Sequence, residues 1–142
     1  MQILLTSTRA PVTLDLIRAF GRAGHTVIAT DTRPWRLGSH SRYLTRHIVT
    51  PPPRQATPQF VAALRQIVKT YRIDWLIPTC EEVFYVARGY TALAALTNLY
   101  TMPPAMLAQL HHKWAFQQQA AALGIRTPRT ALVTSRAELS AT

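Results

Sequence analysis

Short apolar segments alternate with amphipathic helical segments along this chain. Residues 2–6 form an apolar segment, Pro11 follows at a position that suits the first turn of a helix, and Gly24 ends that helix before the next apolar segment at 26–30. Proline is tolerated in a first helical turn because its missing N–H would have no partner there. The alternation predicts an α/β fold with a mostly parallel, doubly wound sheet, because helices connect strands that run in one direction.

The same alternation continues to the end of the chain. Further strands or extended segments are expected at 47–50, 74–77, 98–102 and 129–134, and further helices at 57–71, 81–96, 103–110 and 113–123. The expected apolar face of the first helix consists of Val12, Leu16, Ile17, Phe20 and Ala23. We expect residues 1–110 to form the α/β domain, and residues 111–142 to form a linker helix, a strand and the start of a following domain.

The last residues predict a helix that begins close to the end of the chain. Ser135 and Glu138 have the spacing of a capping box, in which each side chain accepts a hydrogen bond from a backbone N–H of the other residue. A helix of about seven residues is too short to be stable without a packing partner. We therefore expect the chain to be truncated at the entrance to a second domain.

Composition indicates a globular, non-membrane protein. Hydrophobic residues make up 48% and charged residues 15% of the chain, which excludes the disordered class. No apolar run approaches the roughly 20 residues that span a bilayer, so no membrane partner is expected. The single cysteine, Cys80, cannot form a disulfide within the chain, and this fits a reducing cytoplasm.

The formal net charge of +10 is the feature most suggestive of a polyanion partner. However, the arginines are scattered from Arg9 to Arg136 and form no run. No zinc-finger spacing, RNA-binding aromatic signature or basic heptad pattern is present. We do not expect nucleic-acid binding, although a basic polyanion-binding domain remains an alternative interpretation. A basic face that meets an acidic partner domain or phosphate ligands would also explain the charge.

The first strand–helix turn argues against a dinucleotide cofactor. A pyrophosphate needs close approach to the backbone, which glycines in this turn permit. Residues 6–12 contain no glycine, and Pro11 removes a backbone donor. Ser7, Thr8 and Arg9 remain candidates for contacting a small anionic substrate, because the carboxyl ends of strands border the ligand crevice in open sheets. Asp31, at the end of the second strand, is expected to cap a local turn.

A second group of candidates follows the strand at 74–77. Thr79 and Glu82 match a capping box, and acidic side chains are favoured at helix starts, so a structural role is expected for Glu82. Glu81 has no such role. We therefore expect Glu81 to face the cleft and contact substrate.

Lys113 is the candidate phosphate contact. It stands at a helix start, where a positive charge is mildly unfavourable, and a lysine can meet a phosphate as a flexible point charge. The preceding pair, His111 and His112, would point about 100° apart on a helix, so it cannot bind one metal as an i, i+4 pair could. No metal site and no catalytic residue are assigned to this chain.

Four segments of the sequence resemble the N-terminal (pre-ATP-grasp) domain of ATP-grasp ligases, a group that includes biotin carboxylase, carbamoyl-phosphate synthase and many carboxylate–amine ligases. These segments are ILLTSTRAPVTLDLIRAFGRAGHTVIATD, IDWLIPTCEEVFYVA, LHHKWAFQQQAAALGIRTPRT and SRAEL. Together they cover nearly the whole chain. The third is the most specific, because a lysine, a short helix and then Gly-Ile-Xaa-Xaa-Pro lead into the ATP-grasp domain in many members.

The resemblance implies a Rossmann-like domain on the substrate side of an ATP-dependent ligase. By resemblance, Lys113 matches a lysine that reaches toward ATP, and Glu81 and Glu82 match acidic positions that border the substrate. The implied reaction of the full-length enzyme is activation of a small carboxylate as an acyl phosphate, with ATP and Mg²⁺, followed by attack of an amine. The ATP-grasp domain itself is missing from these residues, so we expect the isolated chain to be inactive and to bind ATP poorly.

Two departures from the family pattern affect the site. Many relatives carry an aspartate where this chain has His112, and many have a glycine-rich first turn where this chain has TSTRAPV.

The alternative interpretation is a free-standing Rossmann-like module that binds a small anion or a nucleotide.

Overall fold

The computed structural model describes residues 1–136 and 138. Contacts between Cα atoms divide the chain into two compact units, Met1–Pro104 and Ala105–Thr142. This division lies close to the expected boundary between residues 110 and 111. Contact density alone does not establish a domain that folds and acts independently, so the expected domain bounds stay a prediction.

The first unit is built on a five-stranded parallel sheet. The strands are β1 (Gln2–Leu5), β2 (Thr26–Asp31), β3 (Arg46–Val49), β4 (Trp75–Ile77) and β5 (Asn98–Leu99). Their spatial order is β3-β2-β1-β4-β5, and every neighbouring pair is parallel. The predicted doubly wound α/β fold class is confirmed. Strand order reverses between β1 and β4, and in open sheets of this kind ligands bind at that point, outside the carboxyl ends of the strands.

Helices cover both faces of this sheet. They are α1 (Pro11–Arg22), α2 (Thr57–Tyr71), α3 (Glu82–Arg88) and α4 (Tyr90–Ala94), and a 3₁₀ turn spans Leu37–His40. Side chains of β1 alternate between two apolar clusters, since Leu4 lies in one and Ile3 and Leu5 lie in the other. Both clusters are buried, which explains why these strands are apolar on both sides.

Helix α1 begins at Pro11 as predicted, and three residues of its expected apolar face, Leu16, Ile17 and Phe20, pack in the core. Thr13 and Ile17 are buried, whereas Val12 is 50% exposed and Ala23 is exposed. Thr13 can be buried although it is polar, because its hydroxyl donates to the Ser7 carbonyl oxygen at 2.8 Å. The expectation that Val12 belongs to the core was wrong.

The single helix expected at 81–96 is two helices, α3 and α4, separated at Gly89. A Cβ atom on Gly89 would lie 2.5 Å from Cγ1 of Val61 on α2. Glycine is thus required by the close approach of α2, and the chain bends where this contact occurs. The strand expected at 98–102 is also shorter, because only Asn98 and Leu99 pair with β4.

The second unit contains most of α5 (Pro104–His111) and all of α6 (Lys113–Ala122). Helix α6 ends at Gly124, as predicted, with a positive φ of 75°. The N–H groups of Gly124 and Ile125 donate to the carbonyls of Ala121 and Ala120, which is a Schellman ending. Within the described residues, no helix combines the length and apolarity needed to cross a membrane.

Residues 125–134 form neither helix nor strand, so the strand expected at 129–134 is absent. The Gln117 side chain donates to the Pro128 carbonyl at 2.9 Å and ties this segment to α6. One half of the predicted capping box is present, because the N–H of Glu138 donates to the Ser135 hydroxyl at 3.3 Å. The helix expected after Ser135 covers the last seven residues, of which 137 and 139–142 lie outside the described residues.

Candidate functional site

Three turns meet at the carboxyl ends of β1, β2 and β4. Two of them contain a non-glycine residue with positive φ: Ser7 at 59° after β1 and Cys80 at 56° after β4. This conformation is uncommon for residues with a side chain, and it persists where the surrounding structure fixes it. Its occurrence at two neighbouring strand ends marks this edge of the sheet as the candidate site.

A buried network of hydroxyl groups holds two of these turns together. The Thr79 hydroxyl donates to the Thr6 carbonyl at 2.7 Å and lies 2.7 Å from the Thr13 hydroxyl. The Ser7 hydroxyl donates to the Thr79 carbonyl at 3.2 Å. Ser7 is buried, with its hydroxyl bonded to the main chain of the other turn. Its contact with a substrate stays a prediction.

This network overturns the capping box expected for Thr79 and Glu82. Helix α3 has no side-chain hydrogen bond at its N-terminus. The Thr79 hydroxyl points instead into the network described above, and Glu82 forms an ion pair. The expected capping role of Glu82 was therefore wrong.

Arg9 bridges the turns after β2 and β4 through two buried carboxylates. Its Nη2 atom lies 2.6 Å from Glu82 Oε1, and its Nη1 atom lies 3.4 Å from Asp31 Oδ2. The backbone N–H of Arg9 also donates to Asp31 Oδ2 at 2.9 Å. Asp31 and Glu82 are 3% and 4% exposed. Burial acts to lower the pKa of the Arg9 guanidinium, but Glu82 and then Asp31 outweigh it and raise that pKa.

Asp31 caps its own turn, as predicted, by accepting the N–H of Thr32 at 2.7 Å. The N–H groups of the first turn are also in use: Thr8 donates to the Thr30 carbonyl, and Ala10 donates to the Ser7 carbonyl. These donors, together with that of Arg9, are unavailable to a pyrophosphate. The geometry agrees with the argument against a dinucleotide.

Thr8 is buried beneath the cleft next to a histidine. Its hydroxyl lies 3.0 Å from His47 Nε2 and 3.4 Å from Asp31 Oδ2. Burial lowers the pKa of His47 below its ordinary value of 6.5, His40 lowers it further, and the charge of Asp31 opposes both. The predicted contact of Thr8 with a substrate remains untested.

The free energy of unfolding is expected to fall as the pH decreases below 6.5, in part because of His47. The unfolded chain takes up a proton near that pH, while folded His47 resists it, so protonation favours the unfolded state. The variant His47→Gln is expected to show a smaller loss between pH 7.5 and pH 5.5 in urea unfolding. An unchanged pH dependence in that variant would contradict the lowered pKa.

A cavity of about 350 Å³ opens above Arg9. The other charged or aromatic side chains that line it are Arg33, Arg36, Arg54, Glu81, Glu82 and Tyr85. Glu81 is exposed and faces this cavity, the location expected for it. Its contact with a substrate stays a prediction.

Arg33, Arg36 and Arg54 line this cavity together with Arg9, but the sequence did not predict them as site residues. Arg33 and Arg36 follow β2, and Arg54 lies in the connection between β3 and α2. The signal was available, since residues that follow parallel strands meet at one edge of the sheet. The scattered positions of the arginines in the sequence obscured their convergence in the fold.

Lys113 is the first residue of α6, as predicted, and belongs to the second unit. Its side chain is exposed and makes no hydrogen bond or ion pair with any described residue. His112 caps the helix, because its Nδ1 atom accepts the N–H of Ala115 at 3.3 Å. The role of Lys113 toward ATP stays a prediction.

No family model and no curated protein matches this sequence. Solved structures match it closely in fold. L-amino acid ligase from Bacillus licheniformis has a TM-score of 0.73 at 15% identity, over 97% of this chain and 32% of that chain. The glycinamide-RNase-transformylase T of Mycobacterium tuberculosis has a TM-score of 0.72 at 19% identity, over 99% and 38%.

A third match is the biotin carboxylase domain of 2-oxoglutarate carboxylase from Hydrogenobacter thermophilus, solved with MgADP and bicarbonate. Its TM-score is 0.65 at 12% identity, over 97% of this chain and 31% of that chain. All three proteins are ATP-grasp enzymes. This chain has the fold of the N-terminal domain of ATP-grasp enzymes. The predicted resemblance is confirmed at the level of the fold, and this chain spans about a third of the length of each of these proteins.

Proposed function

We propose that this pre-ATP-grasp domain is the substrate side of an ATP-dependent ligase, in which it holds a small carboxylate. In the full-length enzyme that carboxylate is activated as an acyl phosphate and is then attacked by an amine. The observation that carries the proposal is the arginine-lined cavity above Arg9, located at the reversal of strand order in a fold shared with ATP-grasp enzymes.

The arginines of the cavity suit a carboxylate ligand. A guanidinium group presents paired N–H donors whose spacing matches the two oxygens of a carboxylate. Arg33 and Arg54 make no hydrogen bond or ion pair with any described residue, so their donors are available. Arg9 is already engaged by Glu82 and Asp31, and its role is to hold the wall of the cavity in place.

ATP and Mg²⁺ are assigned mainly to a separate ATP-grasp domain. Phosphoryl transfer requires metal ions and several cationic groups around the transferred phosphate. In the described part of the chain, no group of three or more His, Cys, Asp or Glu side chains could hold a metal ion. We assign no magnesium ligand to these residues, and Lys113 is proposed as one contact to a phosphate of ATP. The proposal places the enzyme in the cytoplasm, consistent with a single unpaired cysteine, Cys80.

The first test of this function is carboxylate binding. Pools of small carboxylic acids are expected to shift the backbone amide resonances of Arg33, Trp35, Arg36 and residues 54–55 and 81–85 in NMR spectra of the chain. The double variant Arg33→Gln/Arg54→Gln is expected to lose about tenfold in affinity, the amount typical of a charge-assisted contact. Exposed Arg65 on α2 supplies the control, Arg65→Gln. Equal weakening by the control would contradict the proposal.

Calorimetry with MgATP is the second test, and the chain of residues 1–142 is expected to bind it with a Kd no tighter than about 1 mM. The physical reason is that one lysine without a metal site neutralises little of the triphosphate charge. Tight, magnesium-dependent binding to this chain would show that the nucleotide site lies here, and would overturn the assignment of ATP to a separate domain.

A free-standing module that binds a small anion is the alternative function. It is favoured by one observation: every residue that lines the cavity belongs to the first unit, Met1–Pro104. Limited proteolysis separates the two functions. A self-sufficient module predicts protection of residues 126–142, whereas a linker to a further domain predicts early cleavage there.

A further inference from the structure

The charges that line the cavity are separated by sign. The basic side is formed by Arg33 and Arg36, after β2, and by Arg54, before α2. The acidic side is formed by Glu81 and Glu82, at the start of α3. The cavity is therefore bipolar, and a carboxylate alone would satisfy only one side of it.

Opposite charges face this cavity without meeting each other. The Glu81 side chain makes no hydrogen bond or ion pair with any described residue, and neither do the side chains of Arg33 and Arg54. Ion pairs form when the charged atoms approach within about 4 Å. The gap between Glu81 and the two arginines is therefore wider than an ion pair, and a ligand that carries both charges can bridge it.

Glu82 adds a second, incompletely satisfied carboxylate on the acidic side. Its Oε1 atom is paired with Arg9, while its buried Oε2 atom has no hydrogen-bond partner among the described residues. A buried carboxylate oxygen without a partner is unfavourable, and a cationic group nearby stabilises it. The acidic side therefore attracts a positive charge beyond the one that Arg9 supplies.

We propose that the ligand of this cavity is a small zwitterion of amino-acid type. Its carboxylate lies at Arg33 and Arg54, and its protonated amino group lies at Glu81, above the charge of Glu82. The inference depends on the proposed function for the anionic half of the ligand and adds the cationic half. A cavity of about 350 Å³ lies within the range of small-molecule sites.

The test compares three pools of compounds that share the same side chains and differ in which charged groups they carry. Free L-amino acids carry both charges, N-acetyl amino acids carry the carboxylate alone, and amino acid amides carry the ammonium group alone. In NMR titrations of the chain, at least one free amino acid is expected to bind about tenfold more tightly than both of its blocked forms, since each blocked form loses one charge-assisted contact.

Variants on each side of the cavity distinguish the two contacts. Glu81→Gln is expected to lower the affinity for the free amino acid about tenfold and to leave the N-acetyl form unaffected. Arg54→Gln is expected to weaken the free and N-acetyl forms alike. Arg65→Gln, on the exposed side of α2, is expected to change neither. Glu81 is exposed, so its variant is expected to fold.

The failures of the two proposals are distinguishable. If N-acetyl amino acids or simple carboxylates bind as tightly as free amino acids, the zwitterion is excluded and the carboxylate function stands. The inference is also wrong if Glu81→Gln still prefers the free amino acid over its N-acetyl form by the same factor as the unmodified chain. If no carboxylate of any pool binds, both the inference and the proposed function are wrong.

Discussion

Arg9→Met is expected to lower the free energy of unfolding by about 2 kcal/mol. Removing one partner of a fully buried ion pair costs about 3–5 kcal/mol, because the other charge is left without compensation. The Arg9 side chain is 42% exposed, so water replaces part of what it supplies. The carboxylates it leaves are nevertheless almost completely buried, since Asp31 and Glu82 are 3% and 4% exposed.

Urea unfolding at neutral pH measures this loss, with Arg65→Met as the control. The double variant Arg9→Met/Glu82→Gln is expected to be more stable than Arg9→Met alone, because it removes the carboxylate left without an ion pair, whereas Asp31 keeps Arg36 Nε at 3.8 Å. The titration of Arg9 itself adds no pH dependence near neutrality. Against the opposing effect of burial, Glu82 and Asp31 raise the pKa of Arg9 above the ordinary value of an arginine, so its contribution is complete below that ordinary pKa and is lost only as the pH rises through the folded-state pKa. An equal loss of stability in Arg65→Met would show that the ion pairs of Arg9 are not the cause of the loss.

Gly89→Ala is expected to destabilise the protein by about 2 kcal/mol, against the usual direction of a glycine-to-alanine change. Replacing glycine by alanine normally stabilises a protein by about 0.4–1 kcal/mol where alanine can adopt the backbone conformation, and Gly89 has an ordinary φ of −95°. Here the new Cβ atom would lie 2.5 Å from Val61 Cγ1 and 3.0 Å from Val61 Cγ2. Overpacking costs about 1–3 kcal/mol, and the branched valine has few alternative rotamers within a helix. The clash with Val61 is therefore expected to outweigh the usual gain from alanine.

A double-mutant cycle with Val61→Ala isolates this contact. Removing the two methyl groups of Val61 makes room for the new Cβ atom, so the double variant is expected to lose at least about 1 kcal/mol less than the sum of the single variants. Additive losses would show that the close approach of Val61 is not the cause of the destabilisation.

The fold class could be predicted because it depends on local signals. Pro11 and Gly124 fixed helix ends through their backbone chemistry alone. The break at Gly89 could not be predicted, because its cause is Val61 on another helix. The burial of Thr13, with Val12 exposed, was missed for a similar reason: the Thr13 hydroxyl bonds to the turn before the helix, and apolar periodicity contains no information on that bond.

The candidate site was predicted in part. Arg9 and Glu81 were found because they follow strands whose ends border a crevice in this fold class. The partnership of Arg9 with Glu82 was missed, because the two residues are 73 positions apart and only the strand order brings them together. Glu82 satisfied a local capping pattern with Thr79, but Thr79 found more favourable partners in the buried network.

The hydroxyl network beneath the cleft has a consequence for selectivity. Thr6, Ser7, Thr13 and Thr79 lock the floor of the crevice through several buried bonds, each worth about 1 kcal/mol. A ligand that could enter only if the turns after β1 and β4 separated would have to break these hydrogen bonds together. The crevice is therefore expected to select ligands by shape. It should bind molecules that fit its unliganded form and exclude larger ones, because its floor does not rearrange.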